Sequence, residues 1–551
     1  MKPQYSLIGI LLLALGSLLV APMVPWRWDS TLDQRYSLSE VSKQSLDTLE
    51  QPIRIDIFLT GDLPPKYMRF RKELDELIDA FKQHKNIFII QSIDPLQGQE
   101  AETVVAEMNN FGMPPERVVE NETGNRKETL VFPWVMLSSG DRSAKVALLQ
   151  NNLGATEEEK IIQAIQQLEY QLMDGIFRLT QTEKSSIAVL TSHDSSPALK
   201  IADFLQSLRP YYQLAAFDLK APEVGPEKAL ENLNRFKLLI IPNPKTPFSA
   251  TEKFILDQYT LQGGALLWLV EGMQVDHQAL LESGTQTVAV PLDLNLDDYF
   301  FNQGIRVRKE MVRDLYCAPI VLAIGEENNT QYFPYPWPYY PLPKPTQQTF
   351  IGKDIGPVFT QYAAPLDTLA GASKKTVLLQ TSAFTKMVGT PAILDLQSAT
   401  QKIKPSEYNE APKPLAVLVE GEMHSLFENR ILPFEYATPK KIGTGRFIVI
   451  GDGSVIENQV NGGTPLALGY DKWSNNFYAN RSFLMHCIHY LSGNTQQLSL
   501  RNKDFSFSLL DPFKIEEKGA FWKIFMVFFP ILLGVLIGYL NFRIRSKHYR
   551  R

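Results

Sequence analysis

The side chains able to do covalent chemistry are few, and their neighbours limit what they can do. The chain of 551 residues holds two cysteines, Cys317 and Cys487. A nucleophilic cysteine needs a sharp strand-to-helix turn and a histidine base within reach. Cys317 stands in Tyr316-Cys317-Ala318-Pro319, which is no such turn, and Cys487 falls inside a helical pattern with Leu484 and Ile488. Both read as structural. His486 and His489 lie three apart on the same helix, a spacing that can chelate a metal. No further ligands cluster beside them, so they read as ordinary helix histidines and no metal site is expected. Gly443-Thr444-Gly445 and Gly451-Asp452-Gly453 flank an apolar run. A phosphate loop is one reading of them and tight turns are the better one, because the chain has no Gly-x-x-x-x-Gly-Lys pattern anywhere. No catalytic residue and no cofactor is expected.

The most unusual stretch is Tyr332-Phe333-Pro334-Tyr335-Pro336-Trp337-Pro338-Tyr339-Tyr340-Pro341. Proline stiffens a chain, so Tyr332, Phe333, Tyr335, Trp337, Tyr339 and Tyr340 would be presented at low entropic cost. Such rings suit contact with protein, glycan or lipid. The competing reading is an aromatic loop packed over a sheet. The six rings are the candidate partner or cargo surface.

Two α/β patterns must position these groups. In the first, Ile53 to Leu59 alternates like a strand. Lys66 to Gln83 has helical spacing through Phe70, Leu74, Leu77, Ile78 and Phe81. Asn86 to Ile93 is β-rich, which completes a βαβ unit and predicts a parallel pair. A short helix near 100–110 and a hairpin around Ser139-Gly140-Asp141 follow. Thr156-Glu157-Glu158-Glu159 opens a long helix with an acidic first turn, suited to the positive end of the helix. It is expected to join two domains. From Ser185 strands and helices alternate as in a doubly wound fold, with buried strands at Lys237 to Ile241 and Ala265 to Val270. The region 315–435, rich in Pro, Tyr and Thr, reads as a β-rich insertion. The strand Arg446 to Ile450 and the helix Asn476 to Leu491 complete the second domain.

The two ends predict topology. Residues Tyr5 to Val24 carry no charge and are long enough for one bilayer span. Ala21-Pro22 is a poor cleavage context, and Trp26 and Trp28 suit the membrane interface, so an uncleaved anchor is expected rather than a signal peptide. A second apolar run covers about 520–542. Arg543, Arg545, Lys547, Arg550 and Arg551 follow it, a positive-inside signal that puts both termini in the cytoplasm. The divisions are a span at 5–24, an N-terminal α/β domain at 35–154, a linking helix at 155–182, and a second α/β domain at 183–495. A juxtamembrane segment at 496–518, a span at 520–542 and a basic tail at 543–551 complete the chain. With 44% apolar and 21% charged residues the body is globular rather than disordered. A net charge of −5 argues against nucleic acid as a partner.

Several motifs, in their order along the chain, resemble a known family. They are Arg35-Tyr36-Ser37-Leu38-Ser39, Asp257-Gln258-Tyr259 with Gly263-Gly264-Ala265-Leu266-Leu267-Trp268, and Gly421 with Ser425-Leu426-Phe427-Glu428-Asn429-Arg430. They look like the auxiliary component of ABC-2-type transporters. Pro336 to Pro341, Lys375-Thr376-Val377-Leu378-Leu379-Gln380 and Leu500-Arg501-Asn502-Lys503 make the chain similar to the GldG family of gliding-motility-associated ABC transporter components of Bacteroidetes. The resemblance singles out Gly263, Gly264, Ser425, Phe427, Asn429 and Arg430 as family-motif residues. It implies a GldA-like ATPase and a GldF-like permease as partners in the bacterial inner membrane, a periplasmic body with possible envelope partners, and a second domain related to class I glutamine-amidotransferase-like folds. After the strand ending at Val270 the sequence is Glu271-Gly272-Met273, without the cysteine such an enzyme needs. The expectation is therefore a non-enzymatic subunit linked to gliding motility or envelope export. The rivals are an anchored hydrolase or amidase, and an envelope scaffold without a transport role.

Overall fold

The computed structural model describes residues 37–494 apart from 99, 123–124, 150–152, 221–224, 284 and 325–329, together with scattered positions from 498 to 539. The chain divides into two units, 1–503 and 504–551. In the second unit the described positions among 521–539 are helical, and Phe521, Phe525 and Phe529 stack in succession at 6.2 and 5.1 Å. Among the described residues no helix is long and apolar enough to cross a membrane. The expected span at 5–24, the basic tail and most of the expected span at 520–542 lie outside the described residues.

The N-terminal sheet runs Phe88–Ser92, Ile53–Ile57, Trp134–Ser139, Arg142–Ala147. The first pair is parallel, as the βαβ pattern requires, and the helix Pro65–His84 makes the crossover. Proline at its first turn costs nothing there, and Tyr67, Phe70, Leu74, Ile78 and Phe81 form its buried stripe. A second hairpin, Glu116–Glu122 with Asn125–Val131, has polar residues through both strands and gave no clear period in the sequence.

The long helix Glu157–Thr180 opens with a full capping box between Thr156 and Glu159. It is more than a linker. It packs under the N-terminal hairpin, where a Cβ on Gly175 would lie 2.5 Å from Val146, so only glycine allows that approach. It also meets the second domain, since the Tyr211 hydroxyl donates to Asp174 at 2.8 Å and Arg178 pairs with Asp174 at 3.0 Å. On its other side Glu169 accepts from the Ser42 hydroxyl at 2.6 Å and from the Ser39 backbone N–H at 2.8 Å. That bond docks the helix Glu40–Asp47, which Ser39 caps. Glu169→Ala leaves both donors without this acceptor and is expected to cost about 1–3 kcal/mol, read from the urea unfolding midpoint.

The second sheet has eight strands in the order Lys344–Pro345, Lys374–Gln380, Pro414–His424, Ile442–Ile450, Ala265–Leu269, Leu238–Pro242, Ser186–Leu190, Gln213–Phe217. The last five are mutually parallel. Leu238–Pro242 and Ala265–Leu269 are buried at every position, because helices cover both faces. The helices Pro226–Leu233 and Ala250–Leu261 fill one side, and Ala202–Leu208 with Asn480–Leu491 fill the other. Three strands within the stretch read as an insertion, the short Lys344–Pro345 among them, belong to this main sheet. Lys374–Gln380 and Pro414–His424 continue it antiparallel beyond Ile442–Ile450. The satellite structure starts earlier than 315, near Met273. It comprises a three-stranded sheet and three two-stranded ladders around a separate core that includes Trp337, Tyr339, Tyr340 and Tyr362. Between Ala265–Leu269 and Pro414–His424 the chain leaves the main sheet three times and returns, a path that composition does not register.

Candidate functional site

The parallel strands end together, and ligands in open α/β sheets bind in the crevice beyond those ends. Ser186–Leu190 comes first in the chain of the five but lies between Gln213–Phe217 and Leu238–Pro242, so the winding reverses there. A crevice of about 670 Å³ opens beyond the ends of Leu238–Pro242, Ala265–Leu269 and Ile442–Ile450. Its floor comes from the strand-end loops carrying Asn243, Lys245, Glu271 and Ser454. One wall is Met273 to Gln278 with Phe359 and Tyr362, and the other is the excursion 457–478 that carries Trp473.

The floor is tightly built. His193, Asp194 and Asn243 hold φ of +66°, +47° and +53°, left-handed conformations that cost energy outside glycine. The His193 ring stacks on Phe248 at 3.8 Å, with its Nε2 3.4 Å from Glu252. Burial would raise Glu252, but the adjacent His193 ring and the hydrogen bonds with Ser249 outweigh it and hold the carboxyl down to about 2. Glu457 accepts from Ser196 Oγ at 2.5 Å, Asn243 Nδ2 at 3.1 Å and Lys200 Nζ at 3.2 Å. Lys245 pairs with Glu271.

The turn Gly451-Asp452-Gly453 is occupied by its own chain. A Cβ on Gly451 would fall 2.0 Å from the Ala364 carbonyl oxygen, and one on Gly453 would fall 2.2 Å from Asn243 Oδ1. The Asp452 carboxylate takes the N–H groups of Gln361 at 2.6 Å and Ser454 at 2.7 Å. An anion loop needs those donors open, so the turn is structural. Burial, reinforced by nearby Glu271, pushes Asp452 up to about 7.

Neither cysteine reaches the crevice lining. Cys317 begins the ladder Cys317–Ile324 with Gln331–Pro341, and burial pushes its thiol up to about 12. Cys487 is fully buried in Asn480–Leu491, and burial raises its thiol too. A thiolate nucleophile needs the opposite shift. His486 faces the carbonyl of Ile351 at 3.0 Å, and His489 faces the Tyr212 hydroxyl at 2.8 Å. Both are core histidines. Among the described residues no group of three His, Cys, Asp or Glu could hold a metal ion.

The aromatic–proline stretch is a strand, Gln331–Pro341, and it divides in two. Tyr332 and Phe333 are exposed and Tyr335 is half-buried. Trp337, Tyr339 and Tyr340 are buried, so the expected six-ring surface is corrected to its first half. Both halves serve the crevice. Tyr332 lies 6.2 Å from Trp473 at the rim. Tyr340 packs edge-on against Tyr362 and Phe359, which line one wall.

The family-motif residues form a different cluster. Ser425 donates to Asp257 at 2.6 Å and the Leu426 N–H donates to the same carboxylate at 2.9 Å. Phe427 packs edge-on to Phe254 at 5.2 Å, and Arg430 pairs with Asp298 at 2.7 Å beside Lys253. Asn429 is exposed. Gly263, at φ +102°, ends the helix Ala250–Leu261, and a Cβ on Gly264 would strike the Tyr259 ring at 2.3 Å. These residues clamp the 425–430 turn onto that helix; they are packing, away from the crevice lining. Arg543, Arg545, Lys547, Arg550 and Arg551 lie outside the described residues. Lys245, Glu271, Glu457 and Trp473 are the site residues that sequence reasoning missed as a group. The turn after each buried parallel strand was the signal that could have found the first two.

Residues 184–487 match the family described as ABC-type uncharacterized transport system. Residues 32–138 match a domain of unknown function. No curated protein matches the chain. Nine chains of known structure match, among them one titled mmIFT52 N-terminal domain. It is 16% identical, with a TM-score of 0.33, over 56% of this chain and 97% of that one. A likeness at that level bears on neither function nor partner.

Proposed function

Because the chain belongs to the family of ABC-type uncharacterized transport systems, we propose that it is a non-catalytic auxiliary subunit of an ABC transporter complex. The observation that carries this reading is the strand end at Leu269. An amidotransferase-like enzyme would place its cysteine there, and this chain places Glu271, tied to Lys245. The five-stranded parallel core supports the finer proposal that the second domain derives from such a scaffold without its nucleophile. Both sequence spans and the basic tail support anchoring in a bacterial inner membrane with both termini cytoplasmic and the body periplasmic. The family-like motifs support a GldG-type role in gliding motility or envelope export, with GldA-like ATPase and GldF-like permease partners.

The test is purification of the tagged chain from native membranes in mild detergent, followed by mass spectrometry. An ABC ATPase and a multi-span permease in near-equal amounts are expected. Their absence from folded protein would leave a free-standing scaffold. The reading also predicts that Cys317→Ala with Cys487→Ala leaves motility or export at the wild-type level in a complementation assay, once protein amounts are matched. Loss of function at matched abundance would restore a thiol enzyme.

A further inference from the structure

We propose that the crevice at the strand ends binds a neutral polyhydroxy ring, a sugar unit of an oligosaccharide, and that Trp473 is its stacking platform. This rests on the reading of the chain as a binding subunit rather than an enzyme.

The charges of the crevice exclude the commoner ligand classes first. Lys200 is held by Glu457 and Lys245 by Glu271. The Lys472 ammonium sits 5.0 Å from the centre of the Trp473 ring. Asp471 accepts from Gln459 at 2.9 Å and from Ser474, and Asp276 accepts from the Ala279 N–H at 2.8 Å. Each of these charges is already engaged by the protein. An anionic ligand would have to break the Lys200–Glu457 or Lys245–Glu271 pair or draw Lys472 off the Trp473 ring, and a cationic one would have to break those same pairs or displace the hydrogen bonds held by Asp276 and Asp471. Burial, helped by Lys200, lowers His277, which faces the Tyr362 hydroxyl at 3.1 Å; that keeps the imidazole neutral near pH 7.

The remaining lining is the mixture a sugar ring needs. Its C–H faces pack on aromatic rings, and its hydroxyls exchange hydrogen bonds with amides and carboxylates. The crevice interleaves Trp473, Tyr470 and Phe359 with Gln274, Gln361 and Gln459. A purely apolar ligand would strand the amides of Gln274 and Gln361, at a cost typical of buried unpaired polar groups. Trp473 is 58% exposed although it lines the crevice, and Tyr332 of the aromatic strand backs it at the rim. An exposed tryptophan supported by its neighbours presents area with little entropy to lose on binding. The volume of about 670 Å³ falls in the range of small-molecule sites and accommodates more than one ring.

The experiment uses the full chain in lipid nanodiscs, free of glycoside detergents that would compete. Saturation-transfer NMR and tryptophan fluorescence follow titration with neutral tri- to hexasaccharides, their uronic-acid counterparts and a neutral peptide. Saturable binding of a neutral oligosaccharide is expected. Trp473→Ala should weaken it about tenfold or more, Trp473→Phe should restore most of it, and Ile431→Ala, far out in solvent, should leave it unchanged. The same sugar offered free and on a lipid anchor separates a soluble from a membrane-borne source, and binding of either form supports the proposal. Preference for the acidic sugars or the peptide overturns it, as does binding that Trp473→Ala leaves intact. No binding by chain that still co-purifies with its ATPase and permease also overturns it, and leaves the auxiliary-subunit reading standing.

Discussion

Trp337→Ala is expected to cost about 3–5 kcal/mol of folding stability, while Tyr332→Ala, five residues away on the same strand, changes it by about 0.5 kcal/mol or less. The strand crosses from solvent into a core within that distance. Trp337 is 1% exposed and sits 5.1 Å from the Tyr339 ring, among Ala318, Ile320 and Tyr362. Truncation leaves a cavity that its partners, fixed by the ladder with Cys317–Ile324, fill only in part. Tyr332 is 62% exposed and touches Trp473 at the rim. Chemical denaturation of the two variants measures the split. Equal losses would mean that the aromatic stretch acts as one unit.

Stability should also fall as pH rises from about 4.5 to about 7.5, the reverse of ordinary acid denaturation. Asp257 and Asp452 carry this expectation. Burial pushes Asp257 up to about 6 against the hydrogen bonds of Ser425, Leu426 and Gln258. Burial and then Glu271 push Asp452 up to about 7. Each carboxyl binds its proton more tightly folded than unfolded. The stabilisation from that proton is complete below the unfolded value and is lost as pH climbs through the folded one. The slope approaches ~1.4 kcal/mol per pH unit for each group inside its window. Glu252, held down to about 2, has the opposite sign but acts below this range, whereas His277, lowered by burial from the ordinary histidine value, has the opposite sign within it and offsets part of the fall. Urea titrations across this range should give a falling curve for the wild type and a flatter one for Asp257→Asn with Asp452→Asn. Parallel curves would show that neither aspartate holds its proton.

The legible parts of the fold are those where one local signal decides. The capping box at Thr156, the elements of the βαβ unit from Ile53 and the buried strands around Ile240 and Leu267 each follow from spacing within about a dozen residues. What stayed hidden depends on pairing across long gaps. Lys374–Gln380 and Pro414–His424 join the main sheet only through partners far away in sequence. Four prolines made Gln331–Pro341 look like a loop, yet from Phe333 to Tyr339 rings and prolines alternate with period two. A two-stranded ladder tolerates proline because one side of each strand needs no donor. The crevice was visible only in fragments. Glu271 follows a buried strand that spacing located, but Lys200, Glu457 and Trp473 reach the same space from distant loops.

An auxiliary subunit assists an ABC transporter without turnover of its own. ATP hydrolysis in reconstituted membranes holding the ATPase and permease that co-purify with the chain, measured with and without it, separates that role from the alternatives. No hydrolysis by the chain alone and a changed rate for the pair when it is added are expected. Hydrolysis by the isolated chain, or a rate indifferent to its presence, would rule the auxiliary role out.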